Sequence, residues 1–75
     1  MNKKEFLKLS GKPTIKFKGN KYLLIGGPTG WAIATRKQYE NFLPSYAHLY
    51  TNGDILMYGK KIGTYKDLSL TNLNK

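Results

Sequence analysis

Apolar and basic residues alternate with period two over Thr14-Ile15-Lys16-Phe17-Lys18, the pattern of a strand with one buried face. Gly19-Asn20 follows as a two-residue hairpin turn, and Lys21-Tyr22-Leu23-Leu24-Ile25 returns as a more continuously apolar strand. A second turn lies at Gly26-Gly27-Pro28-Thr29-Gly30, because Pro28 presets its φ and the glycines admit unusual backbone angles. Trp31-Ala32-Ile33-Ala34-Thr35 reads as a third strand. The three predict an antiparallel meander over residues 14–35.

The turns set the register. With Gly19-Asn20 at the first turn, Phe17 faces Tyr22, Ile15 faces Leu24, and Lys18 opposes Lys21. With Pro28-Thr29 centring the second, Leu24 faces Ile33 and Gly26 faces Trp31. One face then carries Ile15, Phe17, Tyr22, Leu24, Trp31 and Ile33. The other carries Lys16, Lys18, Lys21, Leu23, Ile25, Ala32 and Ala34. A one-residue slip in pairing would invert that assignment.

The period changes after Thr35. Tyr39, Phe42, Leu43 and Tyr46 fall at i, i+3, i+4 and i+7, which predicts an amphipathic helix over 36–50. Thr35 would cap it, Pro44 would kink it, and Ser45 would cap its second part. Asn52-Gly53 is a stop signal, and residues 54–65 read as a second hairpin turning at Gly59-Lys60. Near the start, Asn2 and Glu5 have capping-box spacing for a short helix within 1–10, ended by Gly11 and Pro13. Leu68, Leu70 and Leu73 suit a strand or a turn, and residues 70–75 are expected to fray.

The expected fold class is α+β. A single small domain of 75 residues holds a three-stranded antiparallel meander, a kinked helix and a C-terminal β-hairpin. Sheet face and helix stripe each need a partner, so the expected core is Phe17, Leu24, Trp31, Ile33, Tyr39, Phe42 and Leu43.

Composition narrows the function classes. There is no Cys, so no disulfide braces the domain and no thiolate zinc site exists. The charged start is followed by no apolar run of secretory or membrane-spanning length, so the expectation is a soluble cytoplasmic protein. Catalysis finds little material. His48 is the single His, and Glu5, Glu40, Asp54 and Asp67 are the only carboxylates, widely separated. The Gly26–Gly30 loop lacks phosphate-loop spacing, since Trp31 stands where the second Gly would be. No catalytic residue, metal or cofactor is expected.

Charge points elsewhere. Thirteen basic residues stand against four acidic ones, for a formal net charge of +9. AT-rich codon usage alone would enrich Lys, Asn and Tyr; the alternative is attraction to a polyanion. Lys16, Lys18 and Lys21 gather at the first hairpin, and Lys60 and Lys61 at the second, with Lys66 beyond it. Arg36 and Lys37 stand at a helix start, where the dipole disfavours cations. Tyr22 and Tyr58 are candidate base-stacking residues beside Lys or a turn. Arg36 is the single Arg, and bidentate reading of guanine favours Arg.

The expected function is therefore nucleic-acid binding, to DNA or RNA, through phosphate contacts with low sequence specificity. The alternative is a protein–protein interaction module with an acidic partner surface, such as a small phage- or mobile-element-encoded regulator or inhibitor of a host protein. One contiguous basic face would favour the first. Scattered charge around an exposed apolar patch would favour the second.

Overall fold

Asn2 and Thr35 cap their helices as their spacing predicts. In the computed structural model, which describes residues 1–71, α1 is Lys3–Leu7 and α2 is Arg36–Glu40. Each starts in a reciprocal box: the Asn2 side chain accepts from Glu5 N and Thr35 Oγ1 accepts from Gln38 N, while Glu5 and Gln38 reach back. Both helices are short and owe their persistence to docking. Of the residues 70–75 expected to fray, Leu70 pairs with Ile15 and Thr71 N donates to Thr14 O, while 72–75, Leu73 among them, lie outside the described residues.

Seven strands carry the fold: β1 (Thr14–Phe17), β2 (Asn20–Gly27), β3 (Gly30–Ala34), β4 (Ala47–Tyr50), β5 (Asp54–Met57), β6 (Lys60–Thr64) and β7 (Leu68–Leu70). Their spatial order is β6-β5-β4-β3-β2-β1-β7, with antiparallel pairing throughout. The result is a mostly-β domain, a seven-stranded antiparallel sheet curled into a half-barrel with two short helices. The curl brings β6 over β1: a Cβ added to Gly63 would sit 3.3 Å from the Phe17 ring. Among the described residues no helix is long and apolar enough to cross a membrane.

The helix expected over 36–50 is corrected: it ends at Glu40, and residues 47–50 form β4. Asn41 caps the helix C-terminus, and Phe42 follows with φ +55. Leu43 N donates to Gln38 O and Phe42 N to Tyr39 O, the paired bonds of a Schellman motif. Pro44 then forbids resumption, and Ser45 caps nothing further. Beyond it, β3 offers an open edge whose backbone groups need partners. Ala47-His48-Leu49-Tyr50 supplies them, with Ala47 and Leu49 buried and His48 and Tyr50 turned outward.

Both hairpin turns lie one residue earlier than expected. Lys18-Gly19 and Tyr58-Gly59 are the central pairs, all four with positive φ, as type I′ turns require. Phe17 therefore pairs with Asn20 and Ile15 with Tyr22, not Phe17 with Tyr22. Moving the turn by one shifts the pairing by two, so both faces survive. The second register stands as read, with Leu24 opposite Ile33 and Gly26 opposite Trp31.

Phe17, Leu24 and Ile33 are buried in the core as expected, together with Ile15, Leu49, Ile55 and Leu68. Trp31 is partly buried against that cluster. Tyr39, Phe42 and Leu43 are corrected to exposed positions, because the stripe that joined them is not helical past Glu40. One end of the half-barrel is closed by α1: Phe6 stacks on Tyr65 at 4.7 Å and meets Trp31 edge-on at 5.4 Å. The Met1 ammonium donates to Leu68 O, pinning the N-terminus beside β7.

Candidate functional site: an outer groove beside helix α2

The half-barrel uses its carboxylates locally. Glu5 accepts from Asn2 N, and Asp67 accepts from Thr64 N. Glu40 lies 3.7 Å from Arg36, and Asp54 lies 3.2 Å from Lys61. These are the only ion pairs among the described residues. Both are exposed enough to contribute little stability. What they do is absorb the negative charge and leave the remaining described lysines facing solvent.

Those lysines are carried by several elements. Lys16 and Lys21 are cross-strand partners on the outer face of β1 and β2. The expected opposition of Lys18 and Lys21 is thus corrected to Lys16 and Lys21, because Lys18 occupies the turn itself. Its Nζ lies 5.3 Å from the Phe17 ring centroid. Lys60 and Lys61 sit on β6, which is last in the strand order but is brought over β1 by the curl, and Lys61 is engaged by Asp54. Arg36 and Lys37 lie exposed on α2. Lys66 follows in the short 3₁₀ turn Tyr65–Asp67. The basic residues singled out in the sequence thus lie on β1, β2, β6 and α2, in the first hairpin turn and in the 3₁₀ turn.

The aromatic candidates separate cleanly. Tyr22 is buried and its ring stacks on Tyr46 at 5.1 Å, which removes it from any surface where a base would stack. Burial pushes its phenol above the ordinary tyrosine value. Tyr46 adds to that shift, and a hydrogen bond with Asn20 partly opposes it. Tyr58 is 93% exposed. His48 lies on the outer face between Ala32 and Leu56, with Thr29 Oγ1 3.3 Å from Nε2 and its ring against Tyr50. No group of three metal-ligating side chains exists among the described residues.

The feature that does come together is apolar. Leu23, Ile25, Ala32 and Ala34 form the outer face of β2 and β3. Helix α2 and its capping loop lie over part of this face, covering Leu23 and Ala34. Between sheet and loop runs an open groove of about 530 Å³. Ile25, Ala32 and Ala34 line one side, and Tyr39, Phe42 and Leu43 the other. Gln38, Glu40 and Ser45 contribute its polar margin, and none of the lining residues is a cation. A second depression beside α2 is lined by Thr14, Lys21, Tyr22, Leu23 and Arg36. Lys12 holds its Nζ 5.0 Å from the Tyr39 ring centroid, a cation–π distance.

Phe42 stands out within this groove. It is 96% exposed, and its φ is +55. Glycine is the usual residue at that helix-ending position, and a bulky side chain there is strained by about 1–2 kcal/mol. Phe42→Gly is therefore expected to leave stability unchanged or raise it by about 1 kcal/mol. A thermal melt below that of the parent would contradict this.

The sequence did place Ile25, Ala32 and Ala34 on the face opposite the core. It missed Phe42 as a surface residue because helical spacing drew it inward. The chain matches no family model, no curated protein and no solved structure, and its functional reading rests on this geometry.

Proposed function

We propose that this protein is a small interaction module that docks an acidic partner protein on the outer face of its sheet. The observation that carries the reading is the open apolar groove beside α2, with a strained and exposed aromatic on its wall. Tyr39, Phe42 and Leu43 cluster exposed apolar side chains on its wall, and such clusters are candidate contact sites. The net charge of +9 supports the acidic character of the partner. The net positive charge speeds encounter with an acidic protein, while the groove supplies specificity that long-range charge does not.

The test is recovery of partners on a tagged chain from source-cell extract, with and without nuclease. A protein partner that survives nuclease and is lost when Ala32 is replaced by Glu is the expected result. Material that disappears with nuclease would overturn the reading.

Nucleic-acid binding through Lys16, Lys18, Lys21, Lys60 and Lys61 is the second reading. It is favoured by the Lys16–Lys21 opposition, since like charges facing each other are destabilising and an anion would relieve them. Tyr58, exposed beside Lys60, offers a stacking face. On that reading, engaging about four phosphates of duplex DNA gives a log–log salt slope near about −3.6.

A further inference from the structure

We propose that the groove beside α2 receives a bulky apolar side chain from an acidic peptide segment, with Phe42 as the wall that packs on it. This rests on the acidic-partner reading and specifies the chemistry of that partner at residue level.

Strain and exposure coincide at Phe42. The fold gains no burial from a ring that is 96% exposed, and the backbone there suits Gly or Asn better than any aromatic. Strained positions that the fold does not need are where functional contacts gather. Leu43, 51% exposed, stands next to it, and Tyr39 completes the wall. Phe42 and Leu43 are fixed in place by the two Schellman hydrogen bonds and by Pro44. The wall is thus presented on ordered backbone, which lowers the ordering cost of binding.

The lining decides among occupants. A nucleic-acid track needs cations along its length, and this groove has none in its lining. A second copy of the chain brings another +9, so the two would repel. An acidic peptide with a single apolar anchor needs cations only beside the groove, not along its floor, and it is attracted to a chain of net charge +9. Its apolar side chain would lie over Ile25 and Ala32, against the edge that Ala34 closes. Carboxylates on either side of that anchor would meet Lys12 beside Tyr39, and Lys21 and Arg36 in the adjoining depression. Glu40, the one carboxylate at the margin, is turned to Arg36. The groove volume falls within the range of sites that bury a small ligand.

The probes are two 12-residue peptides of Glu, Ser and Gly, identical except for a central Phe or Ala, and a 12-residue oligothymidylate. Binding is read by fluorescence anisotropy at about 150 mM salt, near physiological ionic strength. The Phe peptide is expected to bind about tenfold or more tighter than the Ala peptide, the factor that burying one large apolar side chain provides. In Phe42→Gly that preference falls to about twofold or less while the melting temperature stays at or above the parent value. Ala32→Glu, which puts a charge on the groove floor, abolishes the preference as well. Leu7→Ala, an exposed position on α1 away from the groove, leaves it intact.

Equal binding of the Phe and Ala peptides would overturn the groove proposal and leave the acidic-partner reading standing. Oligothymidylate binding with no binding of either peptide would overturn both. A preference that survives Phe42→Gly and Ala32→Glu would place the anchor elsewhere and overturn the proposal.

Discussion

Gly30→Ala is expected to destabilise the domain by about 4 kcal/mol, an effect at the severe end for a single methyl group. Gly30 opens β3 with φ +139, a backbone conformation that L side chains rarely adopt. It pairs with Gly27 on one side and Tyr50 on the other. An added Cβ would overlap the Leu49 carbonyl oxygen and lie 3.0 Å from Tyr50 Cα. Both are backbone atoms, so no side chain can swing aside and β4 must move off β3. A domain of this length has about 4–11 kcal/mol of stability in total. The variant should therefore be largely unfolded in modest urea, with its melting temperature down by tens of degrees. A shift of only a few degrees would show that β4 can yield, and that the close approach is unimportant.

Phe17→Ala should cost about 3–5 kcal/mol. Its side chain is almost fully buried on β1, between β2 and β7. Its ring also underlies Gly63 on β6, so it fills the place where the curled sheet closes on itself. Truncation leaves a cavity shared by three strands that cannot all collapse inward. Near-UV circular dichroism and urea unfolding would register the loss. The contrast with Phe42→Gly is sharp: the sequence suggests both phenylalanines for the core, and only the removal of Phe17 is expected to unfold the protein. Parent-like melting of Phe17→Ala would contradict the core assignment.

That contrast shows where sequence reasoning holds. Along 14–34, period-two alternation specified the faces, and they survived a misplaced turn because the error was two in pairing. The turn position is ambiguous in the sequence, because Gly19-Asn20 contains two turn formers while the turn centres on Lys18-Gly19. In both hairpins glycine takes the second central position, and a non-glycine residue, Lys18 or Tyr58, accepts positive φ at the first. Residues 36–50 failed for another reason. Tyr39, Phe42, Leu43 and Tyr46 have helical spacing, yet Asn41 and Pro44 interrupt the backbone that would make the spacing meaningful. The strand at 47–50 is only four residues long. Its period-two signal was too brief to compete until the open edge of β3 was known. The groove floor was legible as an apolar stretch on the wrong face of β2 and β3. The groove wall was not, because a left-handed Phe has no sequence signature.

The pairing of β1 with β7 has a consequence for how the chain reaches this shape. Each other ladder joins strands that follow one another in sequence, and such hairpins form on the microsecond scale. The last ladder is different: Thr71 Oγ1 donates to Thr14 O from 57 positions away. Closing that span loses entropy before any contact repays it. A ribosome-bound chain can zip β1 through β6 as it emerges, yet Ile15 and Phe17 keep an open edge until Leu68–Leu70 arrives. The rate-limiting event in folding is then expected to be the docking of the last strand described, and the interval before it is when the chain is most exposed to misassembly.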